Sequence, residues 1–295
     1  MSYFIGHNHP CFISFYNEPE LLNDSQNSQI IEQNKIIGIM TTRPLIVSIL
    51  QSSKEFLVYY ADYLCVDKSK RKKGIAPQII QTHEYIQRHT NKNIVVSLFK
   101  REDELTGIMP MCVYKTYGFS VDNWRKPSPL IATFSVVEIG TKNIYLLMDF
   151  IKENMSQFDI LIMPETANII ELVKTANIFI RILVSALEDK IIAVYFFRKS
   201  NTFIEKNMEI LSCFGSIQND KCNDDCFIQG FKIAFWDVAN NYKFGFAAIE
   251  RISHNWKLID NISLKTKADI VTPSAYFFYN FAYPTFKSER TLVID

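Results

Sequence analysis

Residues 63–77 read Tyr63-Leu64-Cys65-Val66-Asp67-Lys68-Ser69-Lys70-Arg71-Lys72-Lys73-Gly74-Ile75-Ala76-Pro77, and the reading of this stretch decides the fold. Its first residues close an apolar run that begins near Glu55, as a strand does. Pro77 opens a helix, with Ile79, Ile80, Tyr85 and Ile86 at helical spacing behind it. Between strand and helix come Lys68, Lys70, Arg71, Lys72, Lys73 and then Gly74. A helix N-terminus presents unpaired N–H groups and a partial positive charge, so the basic loop and the helix together are built to hold an anion. Lysines alone would indicate a solvated loop or a nucleic-acid patch. Gly74-x-Ala76-Pro77 at the helix mouth favours phosphate, because glycine permits close backbone approach.

Outward from this stretch the pattern is regular. Residues 36–40 and 44–50 read as strands ahead of the long strand 55–67. After the helix 77–89 come a buried strand 94–99, a charged loop 100–107, and short strands 111–115 and 130–137. A second set begins near residue 142, with helices over 144–158 and 168–175 and strands over 180–187 and 191–198. A polar loop 218–225, an amphipathic helix 227–241, a strand 244–249 and strand-like ends at 276–281 and 290–295 complete it. The expected class is α/β (α+β), a mixed sheet with flanking helices in two pseudo-symmetric lobes, although no sequence repeat is readable. The division is 1–34 as a short N-terminal segment, 35–140 as one lobe and 141–295 as the other.

Composition bounds the function. Hydrophobic residues make up 48% and aromatics 14% of 295 residues, which opposes disorder. A net charge of +1 excludes a global bias towards nucleic acid, so any anion site is local. The N-terminus lacks the basic and apolar regions of a signal peptide. The longest apolar segment is broken by Arg181, Glu188, Asp189 and Lys190, so no transmembrane segment is expected. Cys222 and Cys226 have no neighbouring histidine or second cysteine pair, and no metal site is expected. His83 and His89 are assigned to the helix surface. Reduced thiols and a cytoplasmic location are the default.

The spacing Arg71-x-x-Gly74-x-Ala76 resembles the pyrophosphate loop of the GNAT acyl-CoA transferase superfamily. The fuller string resembles the N-myristoyltransferase family, whose loop reads F-L-C-V-H-K, a short run, then R-S-K-R-L-A-P. The likeness runs over about residues 35–295. Ile37-Gly38-Ile39-Met40 with Pro44 is similar to the family's V-G-F-I-S-A-I-P, and Met111-Cys112-Val113-Tyr114 to its T-C-x-Y. Asn123-Trp124-Arg125-Lys126 resembles N-P-K-K, residues 145–164 its L-L-x-x-Y-L-x-x-F helix, and Tyr276-Phe277-Phe278-Tyr279-Asn280-Phe281 its Y-Y-L-Y-N-W. The last eight residues, from Ser288 to Asp295, are similar to its closing S-E-K-x-x-L-V-x-x.

This resemblance implies two GNAT-like lobes, the first binding acyl-CoA and the second the peptide acceptor. It implies transfer of a myristoyl group from myristoyl-CoA, without a metal, to the N-terminal glycine amine of a protein, by a monomer. The backbone N–H groups of Tyr63 and Leu64 would form the oxyanion hole, and the α-carboxylate of Asp295 would be the base. Cys65, Val66, Arg71, Lys72, Lys73, Gly74, Ile75, Ala76 and Pro77 would hold the CoA. Asn123, Tyr276, Tyr279 and Asn280 are the acceptor-site candidates. The chain also departs from the family. Asp67 replaces a histidine, Lys115-Thr116-Tyr117-Gly118-Phe119 replaces H-R-S-L-N, and residues 266–272 lack the glycines of K-F-G-x-G-D-G. Only residues 1–34 precede the core. Two alternatives stay open: a generic GNAT acting on a small amine or lysine, and a catalytically silent acyl-CoA-binding protein.

Overall fold

The computed structural model describes residues 2–24, 29–93, 95–103, 105, 107–122, 124–204 and 208–295. Its first half contains β1 (Phe12–Asp24), β2 (Gln29–Ile49), β3 (Lys54–Val66), α1 (Ile75–Thr90), β4 (Ser97–Glu102), β5 (Cys112–Ser120) and β6 (Phe134–Ile139). There follow α2 (Ile144–Asn154), β7 (Ile160–Met163), α3 (Thr166–Lys174), β8 (Ile178–Ser185), β9 (Lys190–Ile204) and β10 (Met208–Gln218). The chain ends with α4 (Asp224–Tyr242), β11 (Phe246–Glu250), α5 (Asn255–Ser263), β12 (Ile270–Tyr279) and β13 (Thr291–Val293).

The strands form one mixed sheet in the order β13-β7-β2-β3-β4-β12-β5-β11-β10-β9-β8-β6, with β1 added to β2. The middle eight are arranged as a pseudo-palindrome. Each half offers an antiparallel hairpin, β2–β3 or β9–β10, then a helix, α1 or α4, then a strand parallel to the hairpin's second member, β4 or β11. Each then sends its last strand across: β12 lies between β4 and β5, and β5 between β12 and β11. Neither half of the sheet is complete alone.

The seat of α1 follows from its sequence. Ile75, Ile79, His83 and Gln87, spaced by four, are its buried residues. Gly38 of β2 allows the close approach, since a Cβ there would lie 2.4 Å from Ile79 Cδ1. The buried stripe corrects two expectations. Ile80, Tyr85 and Ile86 are exposed, and His83 is 1% exposed rather than on the surface. Its ring contacts Ser14 Oγ at 2.8 Å and Thr42 Oγ1 at 2.9 Å, and burial pushes its pKa down to about 4.

The second half is more apolar. In α4, Phe227, Phe231, Ala234, Phe235 and Val238 are buried in a cluster with Leu183, Tyr195 and Phe197 of β8 and β9. Strand β8 and residues 191–197 of β9 read as near-continuous hydrophobic runs because both faces are covered. The sequence reading omitted β1, β7, β10 and α5, and split β2 at Thr41-Thr42-Arg43. That strand is continuous. Pro44 is tolerated where β1 has ended, opposite Thr42, and β7 has not begun, opposite Ile46. Strand β6 pairs with β8.

Candidate functional site

The basic loop is held open by its own backbone. Asp67 Oδ1 accepts from Ser69 N at 2.8 Å and Ser69 Oγ at 2.6 Å, fixing the short 3₁₀ turn Lys68–Lys70. Lys70 pairs with Glu18 of β1, and Arg71 Nε donates to Val66 O at 3.2 Å. Lys72 has φ 65°, and Gly74, at φ 76°, is the N-cap of α1. Among the described residues no side chain caps that end, and the first turn has no acidic residue. A hollow of about 500 Å³ lies there, lined by Leu64, Val66, Lys70, Arg71, Lys72 and Gly74–Pro77. Cys65 is exposed. It and Lys73 lie outside that lining.

Strands β3 and β4 pair only from Tyr59–Ala61 to Ser97–Phe99, and then separate. At that point Thr42 faces Ala61 and Thr41 faces Tyr63, so Asp62 is the extra residue of a β-bulge. Beyond it β3 follows β2 and β4 follows β12. Tyr63 and Leu64 are 45% and 43% exposed, as residues beside a parted strand should be. They are consecutive in a strand and face opposite sides. Leu64 lines the loop hollow, while Tyr63 lines a second cavity.

This second cavity, of about 450 Å³, has Arg43, Lys100, Arg198, Lys199, Asp62, Glu102, Glu250 and Asp295 in its walls. Arg43 Nε donates to Asp62 Oδ2 at 2.8 Å. Arg198 pairs with Asp295 Oδ1 through Nη1 and with Glu250 Oε1 through Nη2 at 2.7 Å. Lys100 lies 3.1 Å from Glu250 and 2.9 Å from Glu102. Tyr114 Oη donates to Glu250 Oε2 at 2.6 Å, and Tyr276 Oη to Asp295 Oδ2 at 3.1 Å. Burial raises the pKa of Tyr60, Tyr114 and Tyr276 well above the usual range, so these phenols remain neutral donors. For the Asp295 side chain, burial acts upward, but Arg198, Lys100 and Arg43 with a hydrogen bond from Tyr60 reverse it, and the net direction is down. Burial raises Asp62 against the opposing pull of Arg43.

Of the residues anticipated from sequence, the fold gathers Tyr63, Tyr276 and Asp295 around this cavity and Leu64, Val66 and the basic loop around the hollow. Tyr279 and Asn280 are elsewhere. They line a third, apolar hollow with Ile108, Met109 and Phe281, and Asn280 Nδ2 donates to Val95 O at 3.0 Å. Asn123 lies outside the described residues. The sequence reading missed Arg43, Asp62, Lys100, Arg198 and Glu250. Their signal was a charged residue inside an apolar strand, as in Ile39-Met40-Thr41-Thr42-Arg43-Pro44-Leu45 or Tyr195-Phe196-Phe197-Arg198. Among the described residues no cluster of ligating side chains could hold a metal ion, and no helix is long and apolar enough to cross a membrane.

Comparison with solved structures bears on the fold. Saccharomyces cerevisiae N-myristoyltransferase with bound myristoyl-CoA aligns over 87% of this chain and 69% of its own, with TM-score 0.67 and 12% identity. A second structure of that enzyme with bound myristoyl-CoA aligns over 88% of this chain and 67% of its own, with TM-score 0.68 and 13% identity. A tandem GNAT protein from the clavulanic acid biosynthesis pathway aligns over 85% of this chain and 81% of its own, with TM-score 0.56 and 8% identity. The chain therefore has an N-myristoyltransferase-like GNAT fold. No protein-family model matches it, and no curated protein matches it by sequence.

Proposed function

We propose that the protein transfers an acyl group from acyl-CoA to an amine, with a myristoyl chain as donor and the N-terminal glycine of a peptide as acceptor. One observation carries this reading: Tyr63 and Leu64, at the parting of β3 and β4, line the two hollows on opposite sides. One hollow suits the CoA phosphates, with Arg71, Lys72 and the uncapped start of α1. The other contains carboxylates and neutral phenols suited to an amine. A thioester entering between the strands would bring its carbonyl to the backbone N–H groups of Tyr63 and Leu64. Donors preorganised there would stabilise the developing oxyanion by about 3 kcal/mol each.

The attacking amine must lose a proton. The Asp295 side chain is a weak base, because Arg198 holds it ionised. Its role in this scheme is to fix residue 295 in the cavity, and the main-chain carboxylate of Asp295 takes the proton. The similarity of the fold to an enzyme solved with myristoyl-CoA supports the long-chain donor. Protein lipidation in the cytoplasm is the physiological setting this reading implies.

The test is intact-mass analysis of the untagged protein with glycine-initiated peptides and an equimolar mixture of acyl-CoAs. A myristoyl mass gain on peptide is expected. A short acyl gain would select the generic acyltransferase reading. Acyl-CoA binding without transfer to any peptide would overturn the proposal.

A further inference from the structure

Arg43 is fully buried in the cavity wall. Its Nε is committed to Asp62, and the rings of Tyr3 and Tyr60 lie 5.2 and 5.3 Å from its Cζ. Nη1 and Nη2 are enclosed and have no hydrogen-bond partner among the described residues. Arg198, also in the cavity wall, has both Nη groups on carboxylates. A buried guanidinium with unsatisfied N–H groups is costly and calls for an acceptor from outside the fold.

The chemistry of that acceptor follows. With Nε occupied, the edge carrying Nη1 and Nη2 remains, and two such N–H groups match a carboxylate bidentately. The walls carry four basic and four acidic side chains, and the main-chain carboxylate of Asp295 adds a fifth negative charge in the proposed scheme. A doubly charged phosphate would add to the negative charge of those carboxylates, whereas a molecule with one amine and one carboxylate brings no net charge and offers its amine to the carboxylates and its own carboxylate to Arg43. Tyr3 lines the same cavity and reaches Arg43 from the short N-terminal turn. That turn is tied to α3 by Asn168, whose Nδ2 donates to Tyr3 O at 3.3 Å and Ile5 O at 2.6 Å.

We propose that the amine acceptor carries a carboxylate close to its amine and that Arg43 receives it. This rests on the acyl-transfer reading. The carboxylate has two possible sources, the α-carboxylate of a free amino acid and the side chain of an acidic second residue in a peptide. The test measures binding to the full chain, with CoA present, of glycine against glycinamide and of Gly-Asp-Ala-amide against Gly-Asn-Ala-amide. Transfer of a myristoyl group from myristoyl-CoA to each is followed in parallel by mass.

At least one acid should bind about tenfold or more tightly than its amide, a difference in keeping with hydrogen bonds to a charged group. The pair that shows the preference identifies the source. In Arg43→Gln the preference should fall to near one. The double variant Arg43→Gln/Asp62→Asn, which leaves no unpaired charge, should behave alike if the single variant folds poorly. Equal binding of acid and amide, no binding of either acid, or a preference that survives in the variants would overturn the proposal. Acid-selective binding without transfer to any probe would leave Arg43's site standing and sink the transfer reading. Equally fast transfer to acids and amides would do the reverse.

Discussion

After β3 the chain turns through residues 67–74 into α1, and after β10 it turns through residues 219–223 into α4. These are corresponding steps of the two halves, and they end differently. Gly74 starts α1 without a side-chain cap, and basic residues precede it. Asn223 starts α4 with its Oδ1 accepting from Cys226 N at 2.8 Å, and Asp224 and Asp225 occupy the first turn. The strand gaps differ in the same sense. Pairing of β10 with β11 ends at Cys213, and there Ser253 Oγ accepts from Ser216 N at 2.9 Å and His254 Nδ1 from Gln218 N at 2.9 Å. Pairing of β3 with β4 ends at Ala61, and there Tyr63 and Leu64 line open hollows. The second half satisfies with its own atoms what, in the proposed reading, the first leaves for a ligand. A repeated fold need not repeat its site; in the proposed reading, capping chemistry decides which copy binds an anion.

The largest expected effect comes from the residue tied to both halves. Asp295 is bound to Arg198 of β9 and to Tyr276 of β12, which lies between β4 and β5. Extending the chain by a few residues beyond Asp295 converts its main-chain carboxylate to an amide. Turnover should fall by about 100-fold or more, the scale of a lost general base, with acyl-CoA affinity nearly unchanged. Single-turnover rates and calorimetry on extended and unextended protein check this. Full activity in the extended form would remove Asp295 from the chemistry.

His83 lies in the first half of the chain, on α1, and His254 in the second, at the start of α5. His83 and His254 both have pKa values pushed down to about 4, chiefly by burial. An unfolded chain titrates them near 6.5, so between those values the unfolded state binds protons the folded state does not. Their contribution to stability is whole above pH 6.5 and is lost as pH falls towards 4, with a slope of about 1.4 kcal/mol per pH unit for each histidine. Denaturant unfolding at pH 7, 5.5 and 4.5 should show a shallower loss for His83→Gln than for the parent. Equal slopes would mean that His83 titrates alike in the folded and the unfolded chain.

How far the sequence could anticipate this depends on the reach of each feature. The loop before α1 was legible because its strand, cations, glycine and proline are contiguous. The buried charges were not, since Arg43 and Asp62 are 19 positions apart, Arg198 and Asp295 97, and Tyr114 and Glu250 136. Their partners are set by strand exchange, with β12 lying between β4 and β5, which no local pattern encodes. His83 was misread for a related reason. Its stripe, Ile75-Ile79-His83-Gln87, includes two polar residues, and Thr42 of β2 compensates both, with its Oγ1 2.9 Å from the His83 ring and donating to Gln87 Oε1 at 2.8 Å.

Replacing both Arg71 and Lys72 with alanine removes charge from the open helix end. Acyl-CoA affinity should fall by about tenfold at low ionic strength and less at high salt, because the loop is exposed and screened. Calorimetric titration at two salt concentrations reads this directly. A loss independent of salt would point to collapse of the loop instead of lost charge.

The smallest effect belongs to the closed end. Asn223→Ala deletes the acceptor of Cys226 N and should cost about 1 kcal/mol of stability, as loss of an N-cap does. Acyl-CoA affinity should not change. Asp224 pairs with Lys257 at 2.7 Å and accepts from Gln218 Nε2 at 2.9 Å, so the first turn of α4 keeps an acidic guard even without its cap. If Asn223→Ala did weaken acyl-CoA binding, α4 would be part of a ligand site and the asymmetry between the two halves would be wrong. If it left both stability and binding untouched, the cap would be ornamental, and the closed state of that end would have to rest on Asp224 and Asp225 alone.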